Sequence, residues 1–141
     1  MLDMNGDNDS GKEKTRAGSK GRLVIVDDDA GMQSLLSEVF TSEGYSVTTF
    51  SDGPEALSKL AQPGCQVDAV VCDLNMPRMN GLDFLVLTRN FKTPPPTIII
   101  SAFGTQAVAR DAFGSGAFAF LAKPFQLTTL SELIRRAVSG Q

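Results

Sequence analysis

Apolar residues along this chain alternate between short continuous runs and helically spaced positions. Leu23 to Val26 is a continuous run, and after it apolar residues recur every three or four positions as far as Phe40. A short continuous run between turn signals is typical of a buried strand, whereas the wider spacing is typical of an amphipathic helix. The alternation repeats five times, with predicted strands over residues 23–26, 45–50, 67–73, 97–100 and 117–122.

Five strand–helix units in succession predict an α/β fold. The strands are too apolar to face water on either side, so helices must cover both faces of a parallel sheet. Right-handed crossovers make this a doubly wound, five-stranded parallel sheet. We find no internal repeat and no second domain, and we predict a single domain over residues 22–141.

The first 21 residues follow a different pattern. They are rich in Gly, Ser, Asp, Asn and Lys, and their four acidic and four basic side chains cancel. Such a composition offers little apolar surface to bury, and chain ends are often poorly ordered. We therefore predict a disordered polar tail over residues 1–21.

Composition narrows the classes of function. The 141 residues carry a net charge of −3 with no histidine, which gives no electrostatic footprint for direct nucleic-acid binding. No apolar run approaches the roughly 20 residues of a membrane span, and the polar N-terminus has no secretory signal. Cys65 and Cys72 match no metal or redox spacing. These features predict a cytoplasmic protein that contacts neither membrane nor nucleic acid.

Charged and polar residues follow directly after the predicted strands. Asp73 ends the third apolar run, where a carboxylate is costly to bury unless it has a partner. The first strand ends at Asp27 and Asp28, the fourth at Ser101 and the fifth at Lys123. In a doubly wound fold, ligands bind outside the carboxyl ends of the strands. We therefore expect these five residues to meet at one edge of the sheet.

This set of residue types predicts a particular chemistry. Three carboxylates held together repel one another unless a cation joins them, and oxygen ligands with waters suit Mg²⁺. A metal-bound aspartate beside a lysine is arranged to receive a phosphoryl group, with Asp73 as the nucleophile. Ser101 can then donate a hydrogen bond to the phosphate.

The motifs that carry these residues resemble the receiver domain of two-component response regulators. They are Asp27-Asp28, the loop Asp73-Leu-Asn-Met-Pro-Arg-Met-Asn-Gly81, Ser101-Ala102 and Lys123-Pro124-Phe125. The resemblance covers about residues 22–138 and implies a flavodoxin-like fold with strand order 2-1-3-4-5. It implies these roles: Asp73 as phosphoacceptor, Asp28 and Asp73 as Mg²⁺ ligands, Asp27 assisting through water, the Asn75 backbone carbonyl as a ligand, Lys123 on the phosphate, and a cis bond before Pro124.

The resemblance also implies a switch. Ser101 would move toward the phosphoryl group and Phe120 would turn inward, so that partner affinity changes by a shift of population. The surface made by the fourth helix, fifth strand and fifth helix is then available for a phosphorylation-dependent homodimer. Asn75 and Phe103 would flank the path of the attacking water, and the bulk of Phe103 predicts slow dephosphorylation.

The expected function is a phosphorylation-dependent signalling switch. A histidine kinase or phosphotransfer protein would supply the phosphoryl group, since the chain has no histidine of its own. The domain would catalyse only its own phosphorylation and dephosphorylation, so we predict that it is not an enzyme acting on an outside substrate. Its output partner is not readable from the sequence.

Three alternatives stay open at this point. The chain can be a receiver cut from a larger regulator with a DNA-binding or enzymatic output domain. A haloacid-dehalogenase-type phosphatase also uses an aspartate and Mg²⁺, but it requires Asp-x-Asp-x-Thr/Val after the first strand, and here Gly31 breaks the pattern. A flavodoxin-like flavin carrier would need a first loop that cradles phosphate, which three aspartates would repel.

Overall fold

The computed structural model describes residues 12–14 and 19–140. Over these residues the strands are β1 (Lys12–Lys14), β2 (Arg22–Val26), β3 (Ser46–Phe50), β4 (Ala69–Asp73), β5 (Thr97–Ser101) and β6 (Ala119–Ala122). The helices are α1 (Ala30–Ser42), α2 (Gly53–Leu60), α3 (Gly81–Thr88), α4 (Gln106–Gly114) and α5 (Leu127–Ser139).

The strands form one sheet in the order β1-β3-β2-β4-β5-β6. All neighbours from β3 to β6 are parallel, and counted from β2 their order is 2-1-3-4-5. The predicted fold, a doubly wound sheet of five parallel strands with flavodoxin-like order, is thus confirmed. Asp73 pairs with Ile100, and Ser101 pairs with Ala122, so these strands end at the same level.

The central strands β2, β4 and β5 are buried on both faces. In β2, Leu23 and Ile25 pack in a core with α1 and α5, whereas Val24 and Val26 pack in a second core with α2, α3 and α4. Successive strand residues point to opposite faces, which is why a continuous apolar run is needed here. Each fully buried aliphatic side chain contributes about 1.5–3 kcal/mol of transfer free energy.

One strand was not predicted. Lys12–Lys14 pairs antiparallel with β3, with Lys12 opposite Thr49 and Lys14 opposite Val47. Residues 19–21 are also tied to the domain, because the backbone N–H of Lys20 donates to the carbonyl of Gly44 at 2.8 Å. The described residues 12–14 and 19–21 thus pair with the domain. The expected disordered tail over residues 1–21 stays a prediction, since residues 1–11 and 15–18 lie outside the described residues.

Side-chain caps fix where most helices begin. Asp29, Asp52, Asn80 and Thr105 each accept a hydrogen bond from a backbone N–H in the first turn that follows. Such caps satisfy donors that the helix itself leaves unpaired. The helices run from 8 to 13 residues, and in the part of the chain described here none is long and apolar enough to cross a membrane.

Candidate functional site

The carboxyl edge of the sheet collects the predicted polar residues. Asp27 directly follows β2, Asp73 ends β4, Ser101 ends β5, and Lys123 directly follows β6. The ladder continues one step beyond the strands, since the backbone N–H of Lys123 donates to the Ser101 carbonyl at 2.7 Å. Four separate strands therefore deliver their terminal side chains to one place.

Three carboxylates form a compact group at this edge. Asp27, Asp28 and Asp73 each offer an oxygen, and these oxygens lie within 4.8 Å of one another. Asp27 and Asp73 are 1% and 5% exposed, whereas Asp28 is exposed. The acidic group is thus accessible to solvent at Asp28 and buried at Asp27 and Asp73.

Lys123 faces the two buried members of the group. Its Nζ lies 3.0 Å from Asp73 Oδ1 and 3.8 Å from Asp27 Oδ2. The bond between Lys123 and Pro124 is cis, as the resemblance implies. A single ammonium opposite three carboxylates leaves the site with excess negative charge.

Burial and charge shift the acid–base behaviour of these groups. Burial raises the pKa of Asp27 to about 6, an effect that the charges of Asp73 and Asp28 increase and that the Asp29 N–H and Lys123 oppose. Burial also raises the pKa of Asp73, against the opposing hydrogen bond from Lys123. Burial alone would lower the pKa of Lys123, but its carboxylate neighbours outweigh this and raise it. The Lys123 amine therefore stays protonated, while the ionised forms of Asp27 and Asp73 are disfavoured because too little positive charge lies near them.

The turn after β2 shapes the first two acids. The backbone N–H of Asp29 donates to Asp27 Oδ1 at 2.9 Å, and Asp29 in turn caps α1 by accepting from Gly31 and Met32. Asp27 Oδ2 is buried and accepts no hydrogen bond from the described residues. One oxygen of Asp27 is therefore fixed by the backbone, and the other is left for a cation.

The loop after β4 holds Asn75 at the mouth of the site. Asn75 is exposed, and the loop closes where the Gly81 N–H donates to the Leu74 carbonyl at 2.8 Å. A Cβ at position 81 would lie 3.0 Å from the carbonyl oxygen of Asp73, so the close approach favours glycine. The turn thus brings the backbone of residues 74–80 back over the end of β4.

The two predicted switch residues lie on neighbouring strands. Ser101 is fully buried, and its Oγ accepts a hydrogen bond from the backbone N–H of Phe103 at 2.9 Å. Phe120 pairs with Ile99 across the β5–β6 ladder and is half-buried against the core on the α2, α3 and α4 side. The side chain of Phe103 is 62% exposed and lies in the loop that leads to α4. The serine hydroxyl is therefore engaged with this loop.

Comparisons with known proteins identify the family. The sequence model of the response regulator receiver domain matches residues 23–135. The chain belongs to this family. Similar proteins include the transcriptional regulatory protein FixJ of Bradyrhizobium diazoefficiens, 34% identical over 85% of this chain and 58% of FixJ. The chemotaxis protein CheY of Thermotoga maritima is 34% identical over 82% of this chain and 95% of CheY.

Solved structures agree with this assignment. The receiver domain of the Francisella response regulator 1452 matches with a TM-score of 0.79 and 26% identity, covering 85% of this chain and 98% of that one. The receiver nevertheless spans only 58% of FixJ and 26% of the regulatory protein AtoC of Escherichia coli. The output activities of those longer relatives belong to them as whole proteins.

The acidic group of this receiver domain fits a metal ion. Its donors are carboxylate oxygens, which suit hard divalent cations. The buried Asp27 Oδ2 without a hydrogen-bond donor is the kind of atom that a nearby cation or its water would satisfy. Exposed Asp28 gives the ion a path from solvent.

Two residues near the receiver's site were missed by sequence reasoning. The Gln33 side chain, from α1, donates to the backbone carbonyls of Asp27 and Phe50. The Arg78 guanidinium lies 3.4 Å from the Asp52 carboxylate and ties the loop after β4 to the start of α2, with a φ of 71° at Arg78. A polar residue on a partly exposed surface gives no periodic signal, so neither contact was predictable from spacing.

Proposed function

We propose that this receiver domain accepts a phosphoryl group on Asp73 from the phosphohistidine of a histidine kinase or phosphotransfer protein. The observation that carries the proposal is the position of Asp73: at the end of β4, within 4.8 Å of two other carboxylates and 3.0 Å from Lys123. These 141 residues contain no histidine, so the donor histidine lies outside them. The unidentified output partner then binds according to the phosphorylation state.

The side chains have separate tasks in the transfer. A carboxylate oxygen of Asp73 attacks phosphorus, and the new O–P bond forms as the P–N bond of the donor breaks and the imidazole leaves with its electron pair and takes up a proton. The Lys123 ammonium lies where it can hold the oxygens of the transferring group. Asp28, Asp73 and the Asn75 backbone carbonyl would hold Mg²⁺, with Asp27 assisting through water, and the ion would supply positive charge to these oxygens.

The nucleophile is the carboxylate rather than the neighbouring thiol. Cys72 precedes Asp73, but its side chain is fully buried and points into the α2, α3 and α4 core. Burial raises the pKa of this thiol, which keeps it protonated. Asp73 is therefore the nucleophile that the site offers.

Phosphorylation is read out through Ser101 and Phe120 in this proposal. The hydrogen bond between the Phe103 N–H and Ser101 Oγ breaks, and the Ser101 hydroxyl donates to a phosphate oxygen instead. The Phe120 ring then moves into the space that the Ser101 side chain has vacated. The surface of α4, β6 and α5 changes as a result, and Phe113 of α4, 53% exposed, lies on a helix of that surface. The partner that reads this surface is a second copy of the chain or another protein.

The proposal places no turnover of outside substrates in this domain. The phosphatase alternative would need a second free aspartate after β2, but Asp29 Oδ1 is engaged as the cap of α1. A DNA-binding output, as in the transcriptional regulators among its relatives, would belong to another domain. A cytoplasmic location stays a prediction from the two free cysteines.

Labelling with a small phosphodonor tests the proposal. Wild type, Asp73→Asn and the exposed-surface control Asp111→Asn are incubated with Mg²⁺ and acetyl phosphate, and phosphorylation is followed by intact mass. We expect one phosphoryl group per chain for wild type and Asp111→Asn, and none for Asp73→Asn. Labelling of Asp73→Asn at the wild-type level would overturn the assignment, and steady release of phosphate from small esters would favour the phosphatase.

A further inference from the structure

Gln33 makes an unusual set of contacts for a residue early in a helix. Its Nε2 donates to the backbone carbonyl of Asp27, to that of Phe50 at 3.3 Å and to Ser51 Oγ at 3.1 Å. An amide group has two N–H bonds, so the three acceptors share them. A single side chain of α1 therefore joins the carboxyl ends of β2 and β3.

The Asp27 carbonyl belongs to a special peptide unit. A peptide unit is planar, so the direction of this C=O fixes the plane that also contains the N–H of Asp28. This peptide unit joins Asp27 to Asp28, which carry two of the three carboxylates of the acidic group. A hydrogen bond to the carbonyl thus sets the direction in which the chain leaves Asp27 and enters Asp28.

Other hydrogen bonds already fix the rest of the turn. The Asp27 N–H donates to the Phe50 carbonyl at 3.0 Å, and the Gln33 N–H donates to the Asp29 carbonyl at 3.0 Å. The Asp29 N–H donates to the side-chain oxygen Oδ1 of Asp27. The carbonyl of the unit between Asp27 and Asp28 accepts its hydrogen bond from Gln33.

We propose that Gln33 is a positioning residue for the metal site, acting through the Asp27–Asp28 peptide. The inference rests on the proposed function, in which Asp28 is a ligand of Mg²⁺. A hydrogen bond behind a ligand orients it, and loss of such a bond weakens metal affinity. The Gln33 amide donates to two backbone carbonyls and to Ser51 rather than to a carboxylate of the acidic group, so its effect on the metal site would act through the direction of Asp28.

The test compares Gln33→Met with a matched variant, Gln62→Met. Methionine has the length of glutamine but no amide donor, and Gln62 is exposed on the loop after α2, away from the acidic group. Mg²⁺ affinity of the unphosphorylated proteins is measured by calorimetry. We expect Gln33→Met to bind Mg²⁺ about 10-fold more weakly than wild type, in line with losses seen for residues behind metal ligands. Gln62→Met should equal wild type.

A second readout separates positioning from general stabilisation. The Asp28 amide belongs to the peptide unit in question, so its ¹H–¹⁵N resonance in metal-free protein reports directly on that unit. It should move in Gln33→Met and stay in place in Gln62→Met. Gln33→Asn, which keeps the amide on a shorter side chain, should behave like Gln33→Met and serves as the second variant if the latter is poorly folded.

Each outcome decides the matter. Unchanged Mg²⁺ affinity in the Gln33 variants would overturn the proposal, and so would weaker affinity with an unmoved Asp28 amide. If wild type itself binds no Mg²⁺, the metal site of the proposed function fails, and the positioning role fails with it. That failure is seen in the wild-type protein and is thus distinct from a failure of Gln33 alone.

Discussion

The two ends of the sheet differ in what they bury. At the carboxyl end, two carboxylates and a lysine are packed together with little exposure. At the amino end lies a groove of about 550 Å³ lined mainly by apolar and proline residues, among them Leu60, Val67, Phe91, Pro94, Pro95 and Pro96. The charged residues that line this groove, Asp68 and Lys92, are exposed, whereas the buried charges of Asp27 and Asp73 lie at the carboxyl end.

The difference follows from how a parallel sheet is connected. Loops at the carboxyl end lead from strands into helix starts, where unpaired N–H groups favour carboxylates and other anions. Loops at the amino end close helices and enter strands, which suits the Pro63-Gly64 turn and the prolines of residues 94–96. The presence of a groove at the amino end is therefore not by itself a sign of the functional site of this receiver domain.

The largest effect is expected from the lysine of the carboxyl end. Lys123→Met removes the ammonium that lies 3.0 Å from Asp73, and it should slow phosphorylation by acetyl phosphate about 100-fold, as loss of one donor to a transition-state oxyanion does. Lys92→Met, at the amino-end groove, should label at the wild-type rate. A phosphorylation rate of the Lys123→Met protein within twofold of the wild-type rate would contradict the assignment of phosphoryl transfer to the carboxyl end.

A stability measurement tests the cost of burying Asp27. The pKa of Asp27 is raised from 3.8 to about 6 in the fold, so protonation is favoured there and stability is lost as pH rises through this window. Asp27→Asn keeps the acceptor for the Asp29 N–H and removes the charge. In EDTA at pH 7.5 it should increase the free energy of unfolding by about 3 kcal/mol at most, from the two-unit shift.

That gain should vanish near pH 4, where aspartate is protonated in the folded protein. Urea unfolding at the two pH values gives the comparison. Asp68→Asn is the control at the amino end, because the Asp68 carboxylate accepts a hydrogen bond from the Arg22 N–H at 2.8 Å and should not gain stability when neutralised. An Asp27→Asn protein less stable than wild type at pH 7.5 would argue against an unfavourable charge at this position.

A smaller effect is expected at Phe103. Its side chain is 62% exposed beside the Ser101 loop, and the proposal that it shields the phosphate from water predicts severalfold faster dephosphorylation in Phe103→Glu. Phe113→Glu, on an exposed phenylalanine of α4, should keep the wild-type rate. Loss of phosphate from wild type at the same rate as from Phe103→Glu, or faster, would contradict the shielding role.

The smallest effect is expected at the amino-end groove. Cys65 is half-buried there, and Cys65→Ser should change stability by no more than about 1 kcal/mol and leave phosphorylation unchanged. Intact-mass labelling and urea unfolding measure both quantities. A large loss of phosphorylation would show that the two ends of the sheet are coupled.

The parts of this molecule that were predictable are those that apolar side chains decide. The runs ending at Val26 and Asp73 are buried on both faces. Their continuous apolar pattern therefore predicted that they form strands, that these strands lie between two layers of helices, and at which edge of the sheet their last residues lie. Helix membership was clearer than exposure: Leu35 shares the apolar spacing of α1 and is nevertheless 46% exposed.

Contacts made by the backbone and by amide side chains were not predictable in the same way. The strand Lys12–Lys14 joins the sheet through backbone pairing with β3, which leaves no apolar period in the sequence. The reach of Gln33 to the Asp27 carbonyl depends on how α1 lies against β2 and β3. Such contacts follow from the assembled fold rather than from local sequence.

The strand β1 has a consequence for self-assembly. It covers three of the five residues of β3 and becomes the edge strand on that side, while within the described residues β6 is the edge strand on the other side. Very short edge strands are one of the ways in which proteins limit edge-to-edge pairing with other chains. A second copy that added to this side of the sheet would find a strand of only three residues to pair with, so association of the receiver there is disfavoured.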